Sequence, residues 1–145
     1  MFLDASALVA IIGDEAPAAT LLAKLEAHEG PLYYSSLVMF ETVLALSRKH
    51  KSTTLGESAS TPPHLIARIQ DIVEAFLEEL GATEVPIEVG THRSAIDAAR
   101  SFGRATGHPA RLNFGDCFAY ATAKALNAPL LFVGDDFTKT DITPA

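Results

Sequence analysis

Met1-Phe2-Leu3-Asp4-Ala5-Ser6-Ala7-Leu8-Val9-Ala10 opens the chain with a three-residue apolar run, an acid, and then a helical pattern. An acid at such a junction sits where a strand hands over to a helix, which is the ligand crevice of an open α/β sheet. Acids recur at comparable junctions further on: Glu41, Asp116 and the pair Asp135–Asp136. Four carboxylate sites converging on one sheet edge would cage a hard divalent cation.

Outward from that stretch, strand and helix signals alternate. Asp14 is placed to cap a helix with Pro17 in its first turn and Ala18, Leu21, Leu22 and Leu25 on one face. Gly30-Pro31 stops it, Leu32–Tyr34 reads as a second strand, and Ser35 or Ser36 caps a helix running to about His50. From Lys51 to Pro63 the composition turns to Lys, Ser, Thr, Gly and Pro, which reads as a loop. Ile66, Ile69, Val73, Phe76, Leu77 and Leu80 mark a long amphipathic helix ended by Gly81. Thr83–Ile87 follows as a strand that Pro86 confines to a sheet edge. Thr91–Arg104 is a helix burying Ala95, Ile96, Ala99 and Phe102, and Asp116 opens another that reaches about Leu126. Leu130–Val133 is the clearest buried strand. Alternating strands and helices imply a parallel sheet covered on both faces, so the expectation is one α/β/α sandwich domain over residues 1–145.

Composition narrows the function classes. The formal net charge is −7, which argues against nonspecific polyanion binding, so any nucleic-acid reading rests on local chemistry. The single cysteine, Cys117, excludes an intrachain disulfide and a thiolate zinc site and fits a reducing cytoplasm. No basic region precedes the first apolar stretch, and no apolar run approaches the roughly 20 residues that span a bilayer. A soluble cytoplasmic protein is the expectation. The five histidines show no metal-ligand spacing, and Cys117 lies in an apolar helical context that suits packing. Nucleophile-elbow, Walker and dinucleotide-binding signatures are all missing.

Each acid has an ordinary structural explanation. Asp4 can be a helix cap, Glu41 a solvated helix residue, Asp116 a favourable helix-dipole acid, and Asp135 and Asp136 turn residues. Their recurrence at one sheet edge outweighs these readings. Mg²⁺ and Mn²⁺ prefer carboxylate and water oxygens, and a carboxylate cage holding them can activate water and clamp a phosphodiester. Without metal such carboxylates repel, raising at least one pKa, and they titrate together. The run Arg48-Lys49-His50-Lys51 is a basic helix end that could also hold a phosphate backbone, as could Arg104 and Arg111. A phosphotransfer receiver would also use an Asp after a strand, but here the acidic pair is C-terminal and no lysine occupies a matching place.

The ordered string carries more than any one acid. Leu3-Asp4-Ala5-Ser6-Ala7-Leu8, Ser35-Ser36 through Glu41-Thr42, Leu112-Asn113-Phe114-Gly115-Asp116-Cys117-Phe118-Ala119-Tyr120-Ala121, Gly134-Asp135-Asp136-Phe137 and Thr140-Asp141-Ile142 together resemble the PIN-domain family. The similarity is to the VapC-type ribonuclease toxins of bacterial toxin–antitoxin modules and spans essentially the whole chain. It implies metal-binding roles for Asp4, Glu41 and Asp116, with Asp136 as the fourth acid and Asp135 as its rival. Ser6, and Asn113 with it, would support the site, and Asp97 stands outside the set. The resemblance further implies a Mg²⁺- or Mn²⁺-dependent endoribonuclease acting through metal-activated water, a homodimer, and a VapB-type antitoxin whose tail occludes the acidic groove. The alternative is a catalytically inactive module of the same fold that binds RNA or protein. One departure is the stretch from Ser52 to Pro63, longer than in many such chains.

Overall fold

A computed structural model describes residues 1–145. Its centre is a four-stranded, fully parallel sheet in the order β3-β2-β1-β4. The strands are β1 (Phe2–Leu3), β2 (Tyr33–Ser35), β3 (Thr83–Val85) and β4 (Leu130–Leu131). Met1, Phe2, Leu3, Leu130 and Leu131 are all buried, as the two central strands of a sheet covered on both sides must be. The chain steps from β1 outward through β2 to β3 and returns to β4 on the other side of β1. That reversal makes the crevice beyond the C-terminal ends of β1 and β4 the topological switch point, where open sheets bind ligands.

Six helices cover the sheet: α1 (Ala5–Ile12), α2 (Ala18–Glu26), α3 (Ser36–Leu55), α4 (Pro63–Glu79), α5 (Thr91–Phe102) and α6 (Phe114–Ala125). The expected α/β/α architecture is therefore present. In α4, Leu65, Ile69, Val73 and Leu77 recur every fourth residue and are all buried, with Pro63 at the first turn. The sheet's two outer edges differ. Thr83 and Glu84 of β3 are exposed, whereas β4 is flanked by the C-terminal tail, with Leu130 donating to Thr143 O (2.9 Å) and accepting from Ala145 N (2.9 Å).

Four expectations need correction. The Lys51 loop is shorter, because α3 continues to Leu55 before Gly56 takes a φ of +89°. Thr53 and Thr54 hydroxyls donate back to His50 O (2.9 and 2.7 Å), and the buried Lys51 ammonium donates to Glu57 O (2.7 Å). The two hydroxyls are thereby satisfied within the last turns of the helix, and the Lys51 bond ties the helix end to the turn that follows. Asp14 caps nothing: it turns with φ +50°, and Pro17 stands at the N-cap of α2 without a side-chain bond. In α5 the buried residues are Ala95 and Ala98, while Ile96 is exposed and the helix ends at Phe102 rather than Arg104. Strand β4 stops at Leu131, because Val133 N–H turns to a side chain of the site.

Candidate metal centre

Asp4 leaves β1 with its N–H donating to Leu131 O of β4 (2.9 Å), which fixes the residue at the switch point. It is also the N-cap of α1, accepting from Ser6 N (2.9 Å) and from the Ser6 hydroxyl. The same hydroxyl accepts from Val133 N (3.0 Å), so Ser6 ties the ends of β1 and β4 to one carboxylate. The cap reading thus holds for Asp4, and the same capping carboxylate faces the cleft described below. Burial pushes its pKa up, and the Ser6 bonds offset only part of that rise.

Asp116 is placed by a capping box at the start of α6. Asn113 is the N-cap and accepts from Asp116 N (3.1 Å), while the Asp116 carboxylate accepts from Asn113 N (2.7 Å). Only one carboxylate oxygen is used there. The pKa of Asp116 is pushed up to about 6, first by burial and then by the charges of Asp4 and Asp136; the Asn113 bond and Arg104 act against the rise.

Glu41 comes from the second turn of α3 and is half-buried. Its pKa is pushed up to about 7 by burial and by the charges of Asp4 and Asp116. Its carboxylate lies directly on the Cα of Gly115, because a Cβ there would collide with both carboxylate oxygens. Gly115 is a packing partner of Glu41 that sequence reasoning did not single out. The cue was available: glycine is a poor helix former, yet it stands in the first turn of α6 between the cap and the acid.

Asp4, Glu41 and Asp116 line one cleft of about 460 Å³, together with Ser6, Asn113, Phe40 and Arg48. Asp136 does not line it; it is exposed on the turn after β4, yet near enough for its charge to act on Asp116, as that of Asp135 does not. Three of the four expected acids are thus brought together, and the fourth stands at the margin. As placed, no three acid, histidine or cysteine side chains are close enough to hold an ion jointly, so the expected cage is not closed. The donor set still fits a hard divalent cation. It consists of carboxylate oxygens with free lone pairs; burial raises all three pKa values, and the charges of neighbouring acids add to the rise at Glu41 and Asp116. Asp97 pairs with Arg100 (3.3 Å) on the surface, apart from the acids. Cys117 is buried, and burial with the Asp116 charge raises its pKa and keeps it a neutral thiol.

A parallel α/β/α sandwich with acids at the switch point is the scaffold of a ligand-binding or hydrolytic site, and comparison with known proteins gives it a family. Residues 1–142 match the PIN domain family. A VapC ribonuclease of Rhizobium meliloti is 40% identical over 141 residues, covering 97% of this chain and 98% of that one. Ribonuclease VapC42 of Mycobacterium tuberculosis is 35% identical over 145 residues, covering 100% of this chain and 98% of its own length. The crystal structure of Mycobacterium tuberculosis VapC20, described as a sarcin–ricin loop cleaving toxin, superposes with a TM-score of 0.68 at 14% identity. That match covers 99% of this chain and 97% of the other, and speaks to the fold. The chain belongs to the PIN domain family, and within it to the VapC ribonucleases. No helix is long and apolar enough to cross a membrane.

Proposed function

We propose that this chain is a Mg²⁺- or Mn²⁺-dependent endoribonuclease, the toxin of a toxin–antitoxin module, with Asp4, Glu41, Asp116 and Asp136 as its functional acids. The observation that carries the proposal is the convergence of Asp4, Glu41 and Asp116 on one cleft, with all three pKa values raised, in a chain whose relatives are named ribonucleases. A bound divalent cation would supply Lewis-acid activation of water and charge neutralisation at a phosphodiester.

The chain's own residues divide the remaining work. Asp4, held by Ser6 in one orientation, and Asp116, held by Asn113, present carboxylate oxygens that are positioned before any ligand arrives. Glu41 is the half-buried acid with a pKa nearest neutrality, so it is suited to take a proton from the attacking water once the charge of the cleft is balanced. Asp136 adds negative charge at the rim beside Asp116 and completes the set from the turn after β4. On this reading the functional unit is one domain over residues 1–145, acting on RNA in the cytoplasm as a homodimer. A VapB-type antitoxin restrains it by laying its tail in the acidic groove.

The test is cleavage of a mixed RNA pool by purified Asp116→Asn in Mg²⁺. The variant is expected to fold as the parent does, since an Asn carbonyl can still accept from Asn113 N, and to lose cleavage. Cleavage equal to the parent's would refute the site. A parent that binds RNA but never cuts it in Mg²⁺ or Mn²⁺ would identify a binding module instead.

A further inference from the structure

Two large phenylalanines stand exposed at the acidic cleft. Phe40 is 61% exposed and lines the cleft, and Phe114 is 67% exposed beside Asn113 and Gly115. Each immediately precedes one partner of the Glu41–Gly115 contact; Phe40 lines the cleft from α3, and Phe114 follows the cleft residue Asn113 at the start of α6. The Phe114 ring is braced by Phe118, with centroids 5.0 Å apart and planes tilted by 52°, while most of it stays in solvent. An exposed, braced ring forfeits little conformational freedom when something stacks on it.

The third component is a cation. Arg48 lies on the face of α3 that carries Phe40, Glu41, Leu44 and Ala45, and it lines the same cleft. It makes no ion pair, whereas the adjacent Lys49 is bonded to Glu15 (2.8 Å). Seven positions separate Arg48 from Glu41, about 10 Å along the helix axis. An unpaired guanidinium at that distance from the acids would meet a phosphate flanking the one at the carboxylates.

We propose that Phe40, Phe114 and Arg48 form the track for single-stranded RNA: the two rings stack on bases adjoining the scissile phosphate, and Arg48 holds a neighbouring phosphate. The inference rests on the nuclease reading for its substrate class. Single strands are held by cations that track the backbone beside aromatic faces on which bases stack, and the cleft offers that pairing in Arg48 and Phe40, which a purely apolar protein contact would leave unused. In a chain of net charge −7, local placement of cations has to supply the phosphate contacts.

The experiment measures binding of a fluorescein-labelled single-stranded RNA octamer by polarisation in Ca²⁺, with a gel to confirm that the oligonucleotide stays intact. Phe40→Leu and Phe114→Leu are each expected to weaken binding about tenfold, and Phe40→Tyr to restore it, since tyrosine keeps the stacking face that leucine lacks. Arg48→Gln is expected to lower the slope of log affinity against log salt by about 0.7, the value for one single-strand phosphate contact. All three side chains are exposed, so the variants should fold. Leucine variants that bind like the parent would overturn the track, and a change in oligomeric mass with binding intact would assign the rings to a protein interface. If Phe40→Leu binds normally while the parent cleaves in Mg²⁺, the track fails and the nuclease reading stands. If the leucine variants lose binding while Asp116→Asn cleaves like the parent, the track stands and the catalytic assignment fails.

Discussion

Replacing Glu41 by Gln should make the metal-free protein more stable at alkaline pH while abolishing cleavage. A glutamate whose pKa is pushed from 4.5 to about 7 binds its proton more tightly folded than unfolded. Folding then takes up a proton between those two values, and stability falls as pH rises through that window. Above it the penalty is complete. The full shift corresponds to about 3 kcal/mol; Glu41 is only half-buried, and solvent screening reduces this to about 1 kcal/mol. For a domain of this size that is about 3 °C in melting temperature. The assay is a thermal melt of parent and Glu41→Gln in EDTA at about pH 8 and about pH 5. The variant should melt higher at the alkaline pH, and the gap should shrink towards the acidic one. A variant less stable than the parent at the alkaline pH would refute the reasoning, because the carboxylate would then be satisfied where it lies. An equal gap at both values would do the same, by assigning the gain to packing rather than charge.

Three further outcomes follow from the geometry. Gly115→Ala drives a methyl group into the Glu41 carboxylate and should cost about 1–3 kcal/mol in a urea melt; a displacement of that acid should lower cleavage about a hundredfold. Ser6→Ala removes the hydroxyl bond to the Asp4 carboxylate, leaves the backbone N–H cap in place, and orphans Val133 N–H, for a loss of about 1–2 kcal/mol by the same measure, with cleavage reduced even where the protein is fully folded. Asp136→Asn should weaken Mn²⁺ binding, followed by calorimetry, about tenfold, whereas Asp135→Asn should leave it near the parent value.

What could be read in advance was local. Met1–Leu3 followed by Asp4 reads as a buried strand end, and Leu130–Val133 before Gly134 as another, because their shortness and flanking turn residues favour strand where an apolar run alone is ambiguous. Asn113 and Asp116 stand at capping-box spacing, so the placement of Asp116 was within reach of the sequence. What could not be read was long-range. The Glu41–Gly115 contact joins α3 to α6, and no pattern within either helix reports it. The bond that the Ser6 hydroxyl accepts from Val133 N–H across the sheet is likewise invisible in sequence. The length of α3 was hidden for another reason: Thr53 and Thr54 look like loop residues until their hydroxyls are seen bonded to the preceding turn. Ile96 is the reverse case, an apolar residue at helical spacing left in solvent because the tight approach of α5 uses the alanines on either side of it.

The two margins of the sheet have a consequence for assembly. Strand β3 offers only three residues to an incoming strand, carries an exposed Glu84, and is followed at once by Pro86, which has no N–H to give. The opposite margin is already occupied by the chain's own Pro144 and Ala145. Growth of the sheet by strand addition, the route by which unguarded β edges recruit neighbours or aggregate, is therefore disfavoured on both sides. The surfaces left to an incoming copy or peptide are the helix faces and the grooves between them rather than a ladder of strand hydrogen bonds.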